Sequence, residues 1–306
     1  MKLSVVIPLY NECESLGELM KSVVENLGPL GHEYEVVFVD DGSTDGSYEE
    51  INRLHGEYPG RVRACRFTRN YGKAAALSVG IERAEGDVII TMDADLQDDP
   101  SAIKAMLEKL DEGWDVVSGW KRKRRDPVSK TLPSKFFNFV VSRMSGVRIH
   151  DFNCGFKAYR TEAAKSLEIY GERHRYLPAL ANWEGFRVTE MSVPHHARKY
   201  GRTKYGINRF TNGALDLLTL LFLRKYMRNP LHLFGLVGIV LGLCGCAILG
   251  YFGVQWIMTG EMRVRPLVLL SVGAIIMGIQ FVSIGLLGEM ITHSSPHREY
   301  RIRESL

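Results

Sequence analysis

Two carboxylates and a side-chain amide stand close together in one stretch of the sequence, VIITMDADLQDDP at Val88–Pro100. β-Branched residues open this stretch and predict a buried strand, and the acids follow where the strand ends. Side chains two residues apart in an extended chain point the same way, so Asp93, Asp95 and Gln97 would share one side. Carboxylate and amide oxygens suit Mg²⁺ or Mn²⁺ and leave coordination positions for the phosphates of a ligand. The spacing therefore indicates a divalent-metal site.

The same acids also fit a purely structural role. Asp98 and Asp99 precede Pro100, a residue that suits the first turn of a helix. An acidic turn that caps this helix would account for both carboxylates without any metal. The metal site is favoured because further polar motifs follow neighbouring strands.

Apolar strands alternate with amphipathic helices through the first two-thirds of the chain. Strands are predicted at Lys2–Pro8, Tyr34–Asp40, Val62–Phe67, Val88–Met92, Val116–Ser118 and Phe186–Val193. Helices with one apolar face are predicted between the first five of them. Repeated strand–helix units imply an α/β fold with a mostly parallel sheet, and ligands bind such sheets beyond the carboxyl ends of the strands. The motifs PLYNE, VDDGSTD and MDADLQDD all fall there, so one crevice should collect them.

Composition and missing motifs narrow the class. The 306 residues allow one large domain or a domain with an appendage, and the formal charge of +4 says little about partners. Five cysteines without a CxxC pair fit a reducing compartment, and KLSVVIP is too short for a secretory signal. GxGxxG and GxxxxGK[ST] motifs are absent, which argues against a dinucleotide cofactor and a P-loop ATPase.

Acid-rich strand ends instead suit a nucleotide whose diphosphate is held through a metal. Asp40 or Asp41 would accept hydrogen bonds from its base or ribose, with an ordinary Asp-Gly turn as the alternative.

Two basic segments lie near the predicted crevice. Lys121–Arg125 reads KRKRR, for which we weigh a nucleic-acid or localisation patch, a solvated loop and a phosphate-neutralising loop, and prefer the last. The segment HHARKYGRTKYG at 195–206 has cations around Gly201, which permits a mobile loop that closes over an anion. Between them, Asp151–Tyr159 gathers an acid, an amide and a glycine, or is a structural turn.

The last third of the chain is strongly apolar. An amphipathic stretch, Ile207–Tyr226, is typical of a helix in a membrane interface, with a core helix as the alternative. The stretches 231–258 and 266–291 each exceed the roughly 20 residues that span a bilayer, and only a short charged loop separates them. We predict a transmembrane hairpin, with a buried soluble hairpin as the alternative. The basic tail favours both termini in the cytoplasm.

Together, VVIPLYNE, VDDGSTD, MDADLQDDP and GRTKY resemble the family 2 glycosyltransferases with a GT-A fold, a Rossmann-like mostly parallel sheet. More narrowly, they resemble the polyprenyl-phosphate glycosyltransferases. The resemblance covers residues 1 to about 205 by motif, and the two-span tail matches the bacterial members of this group. With the segments above, we expect a cytoplasmic catalytic domain at 1–205, a juxtamembrane amphipathic helix at 206–229, two transmembrane helices within 230–292 and a basic cytoplasmic tail at 293–306. The expected location is the inner membrane, and the resemblance allows a homo-oligomer. Nucleic acid is not expected as a partner, because the basic runs adjoin an acidic pocket and a membrane tail.

The resemblance assigns roles to matching residues. The residues expected at the nucleotide are Pro8, Tyr10, Glu12, Val39 and Asp41, and those expected beside the diphosphate sugar are Asp93 and Ala94. Asp95 and Gln97 are expected to hold Mg²⁺ or Mn²⁺. Arg198 and Lys204 are expected to contact the diphosphate. After the fifth strand the family often has an arginine on the phosphates; the sequence here is GWKRK, so Lys121 or Arg122 must serve. The cations expected at the lipid phosphate are Arg125, Lys130 and Arg202.

The implied reaction is an inverting transfer from a nucleotide-diphosphate sugar, UDP- or GDP-linked, to a polyprenyl phosphate such as undecaprenyl or dolichyl phosphate. The residues expected to carry it are Asp93, Asp95, Arg198 and Lys204, with Asp151 as the candidate for positioning or deprotonating the acceptor. Two alternatives remain open. One is a membrane glycosyltransferase that extends a polysaccharide or glycolipid, although a QxxRW signature is absent from the sequence. The other is a non-catalytic membrane partner in lipid-linked sugar transport.

Overall fold

The structure, a computed structural model, describes most of the chain. The described residues are 1–122, 138, 141–143, 145–169, 173–197, 199–200, 230–260, 266–293 and 302–305. The chain divides into two compact units, Met1–Leu217 with Arg298–Leu306, and Leu218–His297.

The first unit contains an eight-stranded sheet among its described residues. The strands are β1 (Lys2–Leu9), β2 (Glu33–Asp40), β3 (Val62–Phe67), β4 (Val88–Thr91), β5 (Val116–Trp120), β6 (Lys157–Arg160), β7 (Val188–Ser192) and β8 (Ile302–Ser305). Their order across the sheet is β7-β5-β6-β4-β1-β2-β3-β8. The central pairings β4–β1, β1–β2 and β2–β3 are parallel, so the predicted parallel sheet is confirmed at its centre.

Helices connect the strands and supply the apolar side chains that cover the sheet. They are α1 (Cys13–Leu27), α2 (Ser47–Glu57), α3 (Lys73–Arg83), α4 (Ile103–Asp111), α5 (Thr161–Ser166) and α6 (Leu177–Trp183). On α1, the apolar residues at helical spacing, from Leu16 to Leu27, are buried against the sheet. Burial of these faces against the apolar strands fixes the central sheet, and with it the position of each strand end.

One strand departs from the expected pattern. β6 lies between β4 and β5 and pairs with both in the antiparallel direction, whereas the sequence predicted consecutive parallel neighbours. β5 in turn pairs in parallel with β7, the predicted last strand of the catalytic domain. As a result, the residues that precede β6 reach the same edge of the sheet as the residues that follow β4 and β5.

The fourth strand is shorter than predicted. β4 ends at Thr91, and the chain then turns through Ala94 and Asp95, with Leu96 in the left-handed region at φ +60°. The expectation that Asp93, Asp95 and Gln97 lie on one side of an extended chain is therefore wrong. The strand ends before Asp93, so the positions of these three side chains are set by the turn and not by the alternation of a strand.

The carboxyl-terminal segment adds a strand to the sheet. β8 pairs with β3 in the antiparallel direction and so covers the edge that β3 would otherwise expose. The sequence predicted only a basic tail here.

The second unit contains two long apolar helices, α7 (Pro230–Thr259) and α8 (Pro266–His293). Each is long and apolar enough to cross a membrane, and less than a fifth of either span is buried within the protein. The helices pack through small residues: a Cβ atom on Gly278 would lie 2.6 Å from the Gly238 carbonyl oxygen, and one on Gly245 would lie 2.6 Å from the Ser271 oxygen. So little burial argues against a hairpin in the core of a soluble protein. The predicted interfacial helix at 206–229 lies outside the described residues.

Candidate functional site

The loops that follow β1 and β2 are bonded to each other, as the motif positions predicted. The Asn11 amide donates to the Ser43 hydroxyl at 2.8 Å, and the Thr44 amide donates to the Asn11 side-chain oxygen at 2.8 Å. The Glu12 amide donates to the Ser47 hydroxyl at 3.0 Å. The motifs PLYNE and VDDGSTD thus form one wall of a crevice at the carboxyl edge of the sheet.

Two residues expected at the nucleotide are strand residues behind this wall. Pro8 and Val39 face each other in the β1–β2 register, and both are buried. Tyr10 and Glu12 lie further along and are partly exposed, so they are the predicted nucleotide residues with accessible surface in this motif.

Asp41 connects the crevice to the start of α3. Its carboxylate accepts hydrogen bonds from the amides of Tyr71, at 2.6 Å, and Gly72, at 2.9 Å. Burial raises the pKa of Asp41 to about 6, although these two hydrogen bonds oppose the shift. Gly42 follows with φ +76°, and a Cβ atom there would lie 2.5 Å from the Arg69 backbone. The Asp-Gly turn is therefore required for the close approach of these two loops.

Asp95 and Gln97, the predicted metal ligands, lie within the turn after β4. Asp95 is 8% exposed, and its carboxylate accepts a hydrogen bond from the Gln97 amide at 3.2 Å. Groups of three or more His, Cys, Asp or Glu side chains suited to a metal do not occur among the described residues. One carboxylate and one amide oxygen nevertheless fit a hard cation such as Mg²⁺, which commonly keeps water and takes phosphate oxygens in its other positions.

The two acids that close this turn have different roles. Asp99 accepts a hydrogen bond from the Ser101 amide at 2.9 Å, so it caps the short 3-10 helix Pro100–Ala102 as expected. Asp98 does not cap that helix. Its carboxylate accepts from the Asp93 amide at 3.2 Å and forms an ion pair with Lys121 at 2.9 Å.

Three lysines from distant parts of the sequence surround the Asp93 carboxylate. Lys73, the first residue of α3, is ion-paired with it directly. Burial alone would raise the pKa of Asp93, but the charges of Lys73, Lys121 and Lys157 hold it below its usual range. Gly155 packs directly against this carboxylate, because a Cβ atom at position 155 would lie 2.7 Å from the Asp93 Oδ1 atom. The Asp93 carboxylate is therefore neutralised by cations of the chain.

Lys121 is held by its ion pair with Asp98. Burial lowers the pKa of Lys121, but the charge of Asp98 outweighs this and raises it above the ordinary lysine value. Arg122 is exposed, with its guanidinium 5.8 Å from the centroid of the Trp120 ring. A cavity of about 830 Å³ lies beside Arg122 and is lined by residues 192–197. Of the two residues predicted for the phosphates after β5, Arg122 is the accessible one.

Asp151 lies in the segment that leads into β6. It is 2% exposed and accepts a hydrogen bond from the Asn153 amide at 3.2 Å. The preceding residue, His150, is fixed by its amide to Glu190 of β7 at 2.7 Å. The charge of Asp151 acts on Lys157, which is buried and bonded to the Cys154 carbonyl. Asp151 therefore belongs to the same charged neighbourhood as Asp93.

A partly buried histidine, His174, adjoins this cluster. Burial, with the charges of Lys73 and Arg175, lowers the pKa of His174 to about 3, so its ring is neutral at neutral pH. Its Nδ1 atom has no hydrogen-bond partner in the described part of the protein.

Sequence reasoning missed Lys73, Lys157, His174, the role of Asp98 and the need for glycine at position 155. The RNYGK segment at Arg69–Lys73 was a detectable signal, because its lysine begins a helix directly after a strand-end loop. Lys157 gave no signal, since only the antiparallel insertion of β6 brings it to this edge, and His174 gave none because its position near Lys73 depends on the fold.

Five of the predicted cations lie outside the described residues: Arg125, Lys130, Arg198, Arg202 and Lys204. Lys199, from the described end of the second basic segment, is ion-paired with Glu18 of α1 at 2.6 Å. Ala94 is buried within the turn between Asp93 and Asp95.

Sequence comparison identifies relatives over nearly the whole chain. Residues 4–168 match the profile of the family described as glycosyl transferase family 2. A dodecaprenyl-phosphate galacturonate synthase of Rhizobium johnstonii is 36% identical over 299 residues, which cover 96% of this chain and 88% of the relative. An undecaprenyl-phosphate 4-deoxy-4-formamido-L-arabinose transferase of Edwardsiella ictaluri is 37% identical over 296 residues, which cover 94% of this chain and 88% of the relative.

Structural comparison supports the fold. The crystal structure of glucosyl-3-phosphoglycerate synthase from Mycobacterium tuberculosis with Mn²⁺, UDP-glucose and phosphoglyceric acid superposes with a TM-score of 0.55. The match covers 73% of this chain and 79% of that one at 18% identity. At this identity the match concerns the fold, and it agrees with the expected GT-A sheet.

Proposed function

The chain belongs to glycosyl transferase family 2, and on that premise we propose that it transfers a sugar from a nucleotide-diphosphate sugar to a polyprenyl phosphate, with inversion at the anomeric carbon. The observation that carries the proposal is the similarity, over 94–96% of the chain, to two relatives that are both named for polyprenyl-phosphate sugar transfer. The polar residues at the carboxyl edge of the sheet support the donor side of this proposal.

The donor would lie along the carboxyl edge of the sheet. Tyr10 and Glu12 are partly exposed there, and we propose that they contact the nucleoside together with Asp41, with Pro8 and Val39 behind them. Asp95 and Gln97 would hold a divalent metal, either Mg²⁺ or Mn²⁺. When bound, the metal would neutralise the charge that develops on the leaving diphosphate.

The charge of the crevice addresses the main physical obstacle, which is the approach of two anions. We propose that Lys73, which the fold already fixes in its ion pair with Asp93, contributes positive charge near the bond that breaks. Arg122, with Arg198 and Lys204, is proposed to reach the diphosphate. Arg125, Lys130 and Arg202 are proposed at the acceptor phosphate.

The acceptor needs little help with deprotonation. A phosphate monoester has a second pKa of about 6 and is largely dianionic at neutral pH. Asp151 is buried and accepts a hydrogen bond from a backbone amide. We therefore propose that it orients the residues around Lys157 and does not transfer a proton. Anchoring the enzyme at the membrane would make the encounter with a lipid substrate nearly unimolecular.

The membrane arrangement proposed is an inner-membrane protein with both termini in the cytoplasm. β8 follows α8 in sequence and pairs with β3, so the tail belongs to the same unit as the amino-terminal residues. If α7 and α8 both span, this pairing requires an even number of crossings, in agreement with the basic character of the tail.

The test is a panel of radiolabelled nucleotide sugars incubated with the purified full-length protein and undecaprenyl phosphate in detergent. The sugars named for the relatives, galacturonate and 4-deoxy-4-formamido-L-arabinose, are included as their nucleotide donors. We expect one donor to label an organic-soluble product that mild acid hydrolyses. Label that enters only a polymer would favour the polysaccharide-extending alternative, and failure to bind any nucleotide sugar would favour the non-catalytic one.

A further inference from the structure

Asp98 joins three separate segments at the proposed metal site. Its carboxylate accepts from the Asp93 amide at 3.2 Å and pairs with the Lys121 ammonium at 2.9 Å. Its backbone forms an isolated antiparallel bridge with His195. The side chain is 2% exposed, so all these contacts are shielded from water.

These contacts close the turn that carries the proposed ligands. The chain passes from Asp93 to Asp98 through Leu96, which has φ +60°, a conformation that is unfavourable for a leucine and must be held by its surroundings. The Gln97 carbonyl accepts from the His196 amide at 2.9 Å, which fixes the carboxyl side of the turn. The Asp98 carboxylate bonds back to Asp93, which fixes the amino side.

Lys121 fixes the Asp98 carboxylate in turn. Burying a carboxylate without a cation costs free energy, and the ammonium group of Lys121 supplies the cation for Asp98. Because Lys121 extends from the end of β5, it ties the turn after β4 to a neighbouring part of the sheet.

We propose that Asp98 and Lys121 are positioning residues whose buried ion pair holds the Asp93–Gln97 turn in the shape that presents Asp95 and Gln97 to the metal. Lys121 acts through Asp98 and does not contact the donor phosphates. This assignment rests on the proposed function for the presence of a metal, and it replaces the expectation that Lys121 serves as a phosphate ligand. Groups that orient metal ligands typically contribute a factor of about 10–100 to metal affinity.

The experiment measures Mn²⁺ binding by calorimetry to the full-length protein in detergent, with UDP or GDP present, and nucleotide binding in EDTA. The variants are Lys121→Met, Asp98→Asn and the double variant, which removes both buried charges together and so avoids an unpaired one. We expect the double variant to unfold near the wild-type temperature, to bind Mn²⁺ about 10-fold more weakly and to bind the nucleotide in EDTA as the wild type does. Lys109→Met is the matched control, because Lys109 forms an exposed pair with Glu112 at 2.7 Å at the carboxyl end of α4.

Three outcomes decide the matter. Unchanged Mn²⁺ affinity in the folded double variant would overturn the positioning role. So would a loss of nucleotide affinity in EDTA for Lys121→Met alone, since that places Lys121 on the phosphates. A wild-type protein that binds no Mn²⁺ with either nucleotide would overturn the metal site itself, and with it this part of the proposed function.

Discussion

Gly155 lies directly against the carboxylate of Asp93. A Cβ atom at position 155 would be 2.7 Å from Asp93 Oδ1, well inside van der Waals contact. The Gly155 carbonyl also accepts a hydrogen bond from the Thr91 hydroxyl at 2.8 Å, so the backbone cannot easily retreat. The turn after β4 and the segment before β6 therefore fit together only without a side chain between them.

This contact predicts that Gly155→Ala impairs transfer more than folding. The added methyl group would displace Asp93 from the lysines around it, and a shift of about 1 Å at a catalytic group costs about 100-fold in rate. Steady-state transfer at saturating donor measures the effect. Gly56→Ala is the control, because a Cβ atom at this position in α2 meets nothing within 4 Å. Near wild-type turnover in Gly155→Ala would show that the Asp93 geometry is not critical.

Asp41 predicts a specific dependence of stability on pH. Burial raises the pKa of its carboxyl group from 3.8 to about 6, so between these values the folded protein binds a proton that the unfolded chain has released. Stability linked to this group therefore falls as pH rises from about 4 to about 6 and is constant above that. The full difference is on the order of 3 kcal/mol, from 1.36 kcal/mol per pKa unit.

The measurement compares thermal unfolding of the wild type and Asp41→Asn in detergent at pH 4.5 and 7.5. We expect the wild type to lose stability relative to the variant as pH rises. Asp45→Asn is the control, because hydrogen bonds from Ser47 and Cys13 outweigh burial and lower the pKa of Asp45, which places its titration below this window. If the unfolding temperatures of the wild type and Asp41→Asn changed in parallel with pH, Asp41 would not have the raised pKa that its burial implies.

The hairpin of α7 and α8 depends on glycine at its crossing. A Cβ atom on Gly278 would lie 2.6 Å from the Gly238 carbonyl oxygen and 3.0 Å from the Gly242 nitrogen. Gly278→Ala should push the helices apart and destabilise the hairpin by about 1–3 kcal/mol, the usual cost of overpacking. Thermal unfolding in detergent should show a lower midpoint for this variant than for Gly250→Ala, where a Cβ atom meets nothing within 4 Å. Equal midpoints would mean that the helices do not pack through Gly278.

The central sheet could be predicted because its signals are local. Apolar strands alternate with amphipathic helices at spacings that allow few folds other than a mostly parallel sheet. The ends of β1 and β2 then bring PLYNE and VDDGSTD together. The sequence predicted the position of the proposed metal ligands directly after β4, but not the turn that they form. Its bend depends on Asp98, Lys121 and His195, which come from three parts of the chain.

The charged cluster could not be predicted, because it depends on topology. Lys73, Lys121 and Lys157 are about 40 residues apart in sequence, and β6 must run antiparallel between β4 and β5 before they surround Asp93. The strand itself, Lys157–Arg160, is four residues long with a buried lysine, so neither its length nor its pattern indicates a central position.

The central claim is that Asp95 supports metal-dependent transfer of a sugar to a lipid phosphate. The most direct test follows radiolabelled sugar from its nucleotide donor into undecaprenyl phosphate, with EDTA and with Mn²⁺ restored, for the wild type, Asp95→Asn and Asp99→Asn. We expect EDTA to abolish wild-type transfer and Mn²⁺ to restore it. Asp95→Asn should lose about 100-fold or more at unchanged folding. Asp99→Asn, which alters only the cap of the 3-10 helix and the contact of Asp99 with His196, should stay active. Transfer that survives EDTA, or an Asp95→Asn variant as active as the wild type, would contradict the account.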